Sequence, residues 1–212
     1  MSAEEKCYYK VQSNEDDHCL VSMSGFFNVD DFEWKDCEYT PLGCEIKKLY
    51  KLTLTGSTID LKDLDFDFYS VSLNYVSKRF LGVCDSLGVK YRAVPIELAK
   101  GDECLKDRFY IFLAAENIAV MDRNKSDYTT AKDLETGEIS ESRIFPGLEN
   151  VDAIDHLVMV EGIESHLFVC QETLELFCSD KFRQKAEGLK GMEFTRVDRD
   201  YRYDPWGELE CL

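Results

Sequence analysis

Hydrophobic and polar residues alternate along much of this chain, which is typical of β-strands with one buried face. In residues 63–68, three acidic residues alternate with hydrophobic ones, which places the acids on one face of a strand and Leu64, Phe66 and Phe68 on the other. Residues 44–56 alternate in part. The pattern therefore predicts antiparallel sheets with one face in solvent.

A helical pattern occurs twice. Residues 75–94 and 177–197 share the order of a hydrophobic stretch, a Ser, an amphipathic segment, a Gly and a second hydrophobic stretch. Sequence repeats usually fold into repeated structural units. We therefore expect two related strand–helix–strand units. The matched pairs are Ser77 with Ser179, Phe80 with Phe182, Leu87 with Leu189 and, after one inserted residue, Gly88 with Gly191.

Each copy carries the start and stop signals of a helix. Its Ser can accept hydrogen bonds from the first amides of a helix, and its Gly stands where a left-handed residue ends one. Hydrophobic residues at i, i+4 and i+7 form one buried stripe. The stripe residues are Phe80, Cys84 and Leu87 in the first copy and Phe182, Ala186 and Leu189 in the second.

Together these patterns predict an α+β fold of antiparallel sheets with two Ser-capped helices. We expect a hairpin turn at Thr136 and Gly137, and a second hairpin around residues 161–164. The repeat suggests an N-terminal half, residues 1–100, and a C-terminal half, residues 101–212. The sequence leaves open whether these halves are separate domains or one continuous globule.

Charge narrows the class of partner. The chain has 25 basic and 42 acidic residues, a net charge of −17 with His neutral. Phosphate backbones and anionic membrane surfaces repel such a protein, so we expect neither nucleic acid nor membrane as a partner. A basic protein is a natural partner, because a negative field accelerates encounter with it. The alternative is an acidic surface that only keeps the protein soluble.

Other features indicate a cytoplasmic protein. No hydrophobic run approaches the ~18 residues of a membrane span. The N-terminus has no basic segment followed by a hydrophobic one, so we expect no secretory signal. The nine Cys are odd in number and lack CxxC spacing. This distribution favours reduced, mostly buried thiols.

Candidate reaction chemistry is sparse. His18, His156 and His166 are too few and too separated for a zinc site, and residues 63–74 lack the Gly and Glu of a calcium loop. The two helix-starting serines already have a capping role, and no GxSxG motif accompanies them. We predict no catalytic residue, no cofactor and no metal.

The first 45 residues contain eleven acidic and three basic residues. Within them, residues 25–39 interleave aromatic residues with acids, a composition typical of a protein-binding surface with aromatic anchors. The alternative is that these aromatic residues belong to the core. The predicted partner-binding residues are Asp30, Asp31, Glu33, Trp34 and Asp36, with Glu15, Asp16 and Asp17 as charges that steer the encounter.

Four segments of the chain carry short motifs in a fixed order: residues 108–128, 154–160, 166–171 and 176–197. The motifs are a hydrophobic stretch ending in Asp122, Arg123 and Ser126, a late Ser-capped helix, and a closing strand at residues 191–194. In these motifs and their order the chain resembles a family of bacterial immunity proteins encoded beside polymorphic toxins. The resemblance covers residues 70–198, and residues 114–116 depart from the usual pattern.

The resemblance implies a cytoplasmic protein, not an enzyme, that binds a cognate toxin stoichiometrically as a monomer or weak homodimer. Because many such toxins are nucleases with basic grooves, an acidic protein could occupy the groove in place of phosphates. Two alternatives stay open. One is a small hydrolase or modifying enzyme with an unrecognised Cys or Ser and His site, and the other is a scaffold that self-associates through strand edges.

Overall fold

The computed structural model describes residues 6–14, 25–55, 60–198 and 200–206. Within these ranges the chain forms three sheets and two short α-helices, so the predicted α+β class is confirmed. The strands are β1 (Tyr8–Ser13), β2 (Gly25–Phe27), β3 (Tyr50–Leu54), β4 (Phe68–Ser70), β5 (Asn74–Ser77), β6 (Tyr91–Lys100), β7 (Glu103–Ala114), β8 (Asn117–Ile118), β9 (Asp127–Thr130), β10 (Val151–His156), β11 (Leu167–Cys170), β12 (Leu176–Ser179) and β13 (Met192–Arg196). The helices are α1 (Lys78–Ser86) and α2 (Asp180–Lys185).

Two larger sheets and one small sheet organise these strands. The first has six strands in the order β2-β3-β6-β7-β5-β4, the second has five in the order β13-β1-β12-β11-β8, and β9 pairs with β10. Most neighbours are antiparallel, as the alternating pattern predicted. The prediction is wrong for β3 with β6 and for β8 with β11, which are parallel. Parallel neighbours need a crossover connection, which alternation within one strand does not reveal.

The two strand–helix–strand units are present as β5-α1-β6 and β12-α2-β13. The hydroxyl oxygen of Ser77 accepts hydrogen bonds from the amides of Arg79 (3.1 Å) and Phe80 (3.3 Å). The hydroxyl oxygen of Ser179 accepts one from the amide of Phe182 (3.3 Å). The helices pack together, with the rings of Phe80 and Phe182 edge to face at 5.7 Å. The capping prediction is therefore confirmed in both copies.

The second helix is shorter than its pattern predicted, since α2 ends at Lys185 and Leu189 lies beyond it. Gly191 instead precedes β13, with a φ of +82°. A Cβ at this position would lie 2.4 Å from the carbonyl oxygen of Phe68. Both the left-handed backbone and the close approach of another chain segment therefore require Gly here.

Three hydrophobic clusters form the core. One lies between the two larger sheets and includes Phe68, Phe80, Phe112 and Phe182. Another includes Phe109 and other residues of the six-stranded sheet together with parts of residues 27–46. The third lies on the five-stranded sheet and includes residues of the 118–163 region. Alternate residues in the second half of β7 enter two different clusters, so both faces of that part of the strand lie in the core.

Two local predictions also differ from the structure. No hairpin forms around residues 161–164, because β11 pairs with β12 and β8, while Met159 bridges to Met121. Asp67, which the alternation places on the solvent face, is buried. Alternation does not reveal burial by a distant segment.

The predicted turn at Thr136 and Gly137 is present, with a bridge between its arms and a Gly137 φ of +73°.

The sheets mix the two halves of the chain. Strand β1 pairs with β12 and β13, whereas β7 pairs with β5 and β6. The division proposed at residue 100 falls between β6 and β7, which form one antiparallel hairpin. The assignment of residues 1–100 and 101–212 to two related halves stays a prediction.

Cys37 and Cys44 form a disulfide, with their Cα atoms 6.3 Å apart. The prediction of reduced thiols is wrong for this pair. The turn between the two residues brings them together, and their spacing of seven residues matches no common motif that could have indicated the pairing. Cys84, Cys170 and Cys178 are buried, and burial raises the pKa of each thiol. These three match the predicted buried thiols and are poor nucleophiles, since the thiolate is the reactive form.

Candidate partner-binding surface

Residues 28–49, here called the acidic loop, carry all of the predicted contact residues that the structure describes. Asp30, Asp31 and Asp36 are exposed on it. The carboxylate of Asp31 pairs with the Lys35 ammonium at 2.7 Å, and this contact lowers the pKa of Asp31. These three carboxylates are placed where a partner can meet them. Glu15, Asp16 and Asp17 lie outside the described residues.

Glu33 shapes the acidic loop from within. Its Oε2 atom accepts hydrogen bonds from the amides of Lys47 and Lys48, both at 2.9 Å, and from the Tyr50 hydroxyl at 3.1 Å. The Lys48 amide is the largest cause that lowers the pKa of Glu33. Because one oxygen joins the start of the loop to its end, Glu33 holds the loop closed.

Trp34 lies in the core beneath the acidic loop. Only 1% of its surface is exposed. Its ring stacks on Phe32 at 4.5 Å and meets the edge of Tyr50 at 4.8 Å. A side chain buried to this degree cannot touch a partner without a rearrangement, so the structure does not support direct contact by Trp34. The alternative assignment, that an aromatic residue of this segment belongs to the core, holds for Trp34.

A second element, which the sequence reasoning did not single out, extends the surface. Residues 131–150, here called the arm, fold back on themselves through bridges between Lys132 and Ile139 and between Glu141 and Glu149. Three of its large hydrophobic side chains are exposed: Leu134, Ile139 and Ile144. The arm contains five acidic residues and two basic ones. Exposed hydrophobic residues among charges are typical of a binding surface, and this local mixture was a usable signal.

The acidic loop and the arm meet around a groove of about 520 Å³. The rings of Tyr39 and Phe145 lie edge to face at 5.4 Å and join the two elements. Arg92 donates hydrogen bonds to the carbonyls of Pro41 (2.6 Å) and Leu42 (3.0 Å), which anchors the loop to β6. The groove is therefore built from segments far apart in the sequence.

A second cleft of about 720 Å³ contains the groups closest to a reactive arrangement. Nδ1 of His166 lies 2.7 Å from the hydroxyl oxygen of Ser179. Burial is the main cause that lowers the pKa of His166, with a smaller effect from nearby lysines. Cys7 and Asp180 line the same cleft, but the carboxylate of Asp180 pairs with Arg183 at 3.0 Å. The Ser179 hydroxyl meanwhile caps α2.

No group of three or more His, Cys, Asp or Glu side chains in the described part of the chain is arranged to hold a metal ion. None of the helices in the described ranges has the length and hydrophobicity needed to span a bilayer.

The family model described as "Immunity protein family (Imm11)" matches residues 28–199. The chain belongs to the Imm11 immunity protein family. The match begins at residue 28, well before the start at residue 70 expected from the motifs, so it includes the acidic loop as well as the arm and both strand–helix–strand units. No curated protein matches the Imm11 chain. Membership assigns the protein an immunity function through binding of a cognate toxin.

Proposed function

We propose that this Imm11 protein neutralises a toxin with a basic surface in the bacterial cytoplasm, and that the acidic loop and the arm form the contact surface. One observation carries the proposal: two elements with an excess of acidic residues are joined by the Tyr39–Phe145 contact and expose hydrophobic side chains beside their charges. Interfaces commonly combine hydrophobic contacts with charges that are complementary to the partner.

The acidic loop and the arm both carry a net negative charge. The acidic loop contains six acidic and three basic residues, and the arm contains five and two. Their combined negative field favours encounter with a basic protein and opposes wrong acidic partners. If the toxin is a nuclease, the groove in which the nuclease binds phosphates is basic and attracts the negative loop and arm. This attraction supports inhibition by occupation of that groove.

We assign two different roles to the predicted contact residues. Asp30, Asp31 and Asp36 supply exposed negative charge. Glu33 and Trp34 support the loop from within. We assign the hydrophobic contact area to exposed residues of the loop and arm, principally Leu42 and Ile144.

The direct test mixes the purified full chain with the product of the neighbouring gene. A stoichiometric complex on light scattering, loss of the toxin's activity in the complex, and weaker binding at higher salt are expected. The salt series is needed because salt screens the proposed attraction. A chain that forms no complex, or forms one without reducing toxicity, would contradict the proposal.

An enzyme is the second candidate, and the 2.7 Å contact between His166 and Ser179 favours it. A neutral imidazole beside a hydroxyl is the arrangement of a general base and a nucleophile. Replacing Ser179 with Ala and, separately, His166 with Asn distinguishes the candidates. Unchanged protection against the toxin in both variants supports binding alone, and loss of protection with retained binding supports catalysis.

A further inference from the structure

We infer that the groove between the acidic loop and the arm receives an arginine side chain of the partner protein. The inference rests on the proposed function, because it assigns a specific residue type to the toxin. It depends on three features of the groove: an aromatic wall, a buried acceptor without a hydrogen-bond partner among the described residues, and a carboxylate on a residue of the same lining.

The aromatic wall comes from Tyr39 of the loop and Phe145 of the arm, whose ring centroids are 5.4 Å apart. Ile144, which is 42% exposed, lines the groove beside them. Aliphatic stems and planar cations both pack well on such rings. The wall therefore favours a long side chain with a flat charged end.

Asn117 supplies the buried acceptor. Its amide nitrogen donates to the carbonyl of Tyr39 at 2.6 Å, which fixes the orientation of the side chain. Its Oδ1 atom is buried and accepts no hydrogen bond from any residue that the structure describes. The backbone carbonyl of Asn117 also accepts a bond from Gln171 at 3.1 Å, so the residue is held in place. Because an unsatisfied buried acceptor is costly, an N–H donor that reaches Oδ1 when the side chains around the groove shift gains stabilisation there.

Glu116 supplies the negative charge on the same lining. Burial opposes its ionisation, but hydrogen bonds from Lys90 (2.8 Å) and Ser165 (2.7 Å) outweigh that effect and hold its pKa below the ordinary value. The Lys90 side chain is 64% exposed. Exposed ion pairs contribute little free energy, so an entering cation can share or replace Lys90 at the carboxylate.

Arginine fits these three features better than lysine does. A guanidinium has five N–H donors in a fixed plane, so it can donate to a carboxylate and to an amide oxygen at the same time. It also stacks on aromatic rings and is more weakly hydrated than an ammonium. Lysine carries a strongly hydrated point charge, which suits a flat aromatic wall less well.

The first test uses a small probe, N-acetyl-arginine-N-methylamide, added to the ¹⁵N-labelled full chain. We expect saturable shifts at the side-chain amide of Asn117 and the backbone amide of Tyr39. The probe should bind at least tenfold more tightly than the uncharged citrulline analogue and more tightly than the lysine analogue. Equal responses to arginine and citrulline, or no shifts at these residues, would overturn the inference.

One variant sharpens this titration. Glu116→Gln keeps the size of the side chain, removes its charge and replaces one of its two acceptor oxygens with an amide donor. We expect Glu116→Gln to weaken the arginine probe by at least fivefold while leaving the citrulline probe unchanged. An equal effect on both probes would contradict the inference.

The toxin complex separates this inference from the proposed function. Alanine replacement of each exposed arginine of the neighbouring gene's product should identify one whose loss weakens binding at least tenfold and whose effect is coupled to Glu116→Gln in a double-mutant cycle. A complex in which no arginine is coupled to Glu116 overturns the groove assignment and leaves the proposed function standing. Absence of any complex overturns the proposed function, and the probe titration still decides the groove.

Discussion

The hydroxyl of Ser77 donates a 2.5 Å hydrogen bond to Oδ1 of Asp67, while the same oxygen caps α1. The other oxygen of Asp67 accepts a hydrogen bond from the amide of Lys190 at 2.9 Å and pairs with Arg79 at 3.0 Å. Asp67 is almost fully buried. One carboxylate thus links the start of the first helix to the segment that leads into β13, and so connects the two strand–helix–strand units.

We expect Asp67→Ala to lower the free energy of unfolding by about 3 kcal/mol, because the Ser77 hydroxyl, the Lys190 amide and the Arg79 guanidinium all lose the buried carboxylate that accepts their hydrogen bonds. Urea denaturation followed by circular dichroism measures the change. Asp63→Ala is the matched control, since Asp63 is exposed, and should cost less than about 0.5 kcal/mol. Similar values for both variants would show that the hydrogen bonds of the buried Asp67 carboxylate do not stabilise the folded protein.

Trp34 and Trp206 provide a second matched pair. Trp34 is 1% exposed and Trp206 is 61% exposed. Trp34→Ala should destabilise the protein by about 3–5 kcal/mol, because it leaves a cavity under the acidic loop. Trp206→Ala should change stability by less than about 0.5 kcal/mol. Thermal unfolding measures the stability of both variants. A Trp34→Ala variant that is as stable as the natural chain but associates slowly with the toxin would contradict the core assignment and indicate that Trp34 contacts the partner.

Reversal of the exposed charges Asp30 and Asp36 to Lys should slow association with the toxin by about tenfold at low salt and have little effect on dissociation. Stopped-flow binding at two ionic strengths measures both rates. The control reverses Asp102 and Glu103, which are equally exposed at the β6–β7 turn. If this control slows association as much, the effect belongs to the net charge of the chain and not to the acidic loop.

The hydrogen bonds to Glu33 predict a pH dependence. The pKa of Glu33 is lowered from 4.5, so its ionised form is stabilised in the folded protein. The resulting contribution of Glu33 to the free energy of unfolding is fully present above pH 4.5 and is lost as the pH falls through the lower pKa that Glu33 has in the folded protein. Glu33→Gln should therefore be less stable than the natural chain at neutral pH, and the difference should shrink in acid.

Unfolding in urea at a series of pH values between 7 and 3 tests this expectation. Tyr50→Phe is the companion variant, because it removes one of the three donors to Glu33 and keeps the ring in place. It should show a smaller change of the same sign. A Glu33→Gln deficit that stays constant across the series would mean that the carboxylate's charge does not matter.

Local signals were sufficient to predict the two helices and the α+β class. A Ser cap and a hydrophobic stripe are set by residues within one or two turns, so Ser77 and Ser179 could be assigned without tertiary information. The acidity of residues 30–36 was likewise visible. Contacts between distant segments, such as the pairing of β3 with β6 and the hydrogen bond between Asp67 and Lys190, could not be predicted from the sequence.

The candidate surface was only partly predictable. The sequence indicated acidic residues among aromatic ones, but composition does not tell a core aromatic residue from an exposed one, and Trp34 proved to be buried. The groove between Tyr39 and Phe145 had no sequence signal, because those residues are brought together only when the acidic loop and the arm fold against the sheets.

The sequence by itself determined the α+β class of this protein, its helix caps and the sign of its charge, since each depends on neighbouring residues or on a simple sum. Tertiary structure alone decided which strands pair, which aromatic side chains are buried and where an acceptor is left without a donor. These properties depend on contacts between residues far apart in the chain, and on the competition of all hydrophobic groups for one interior.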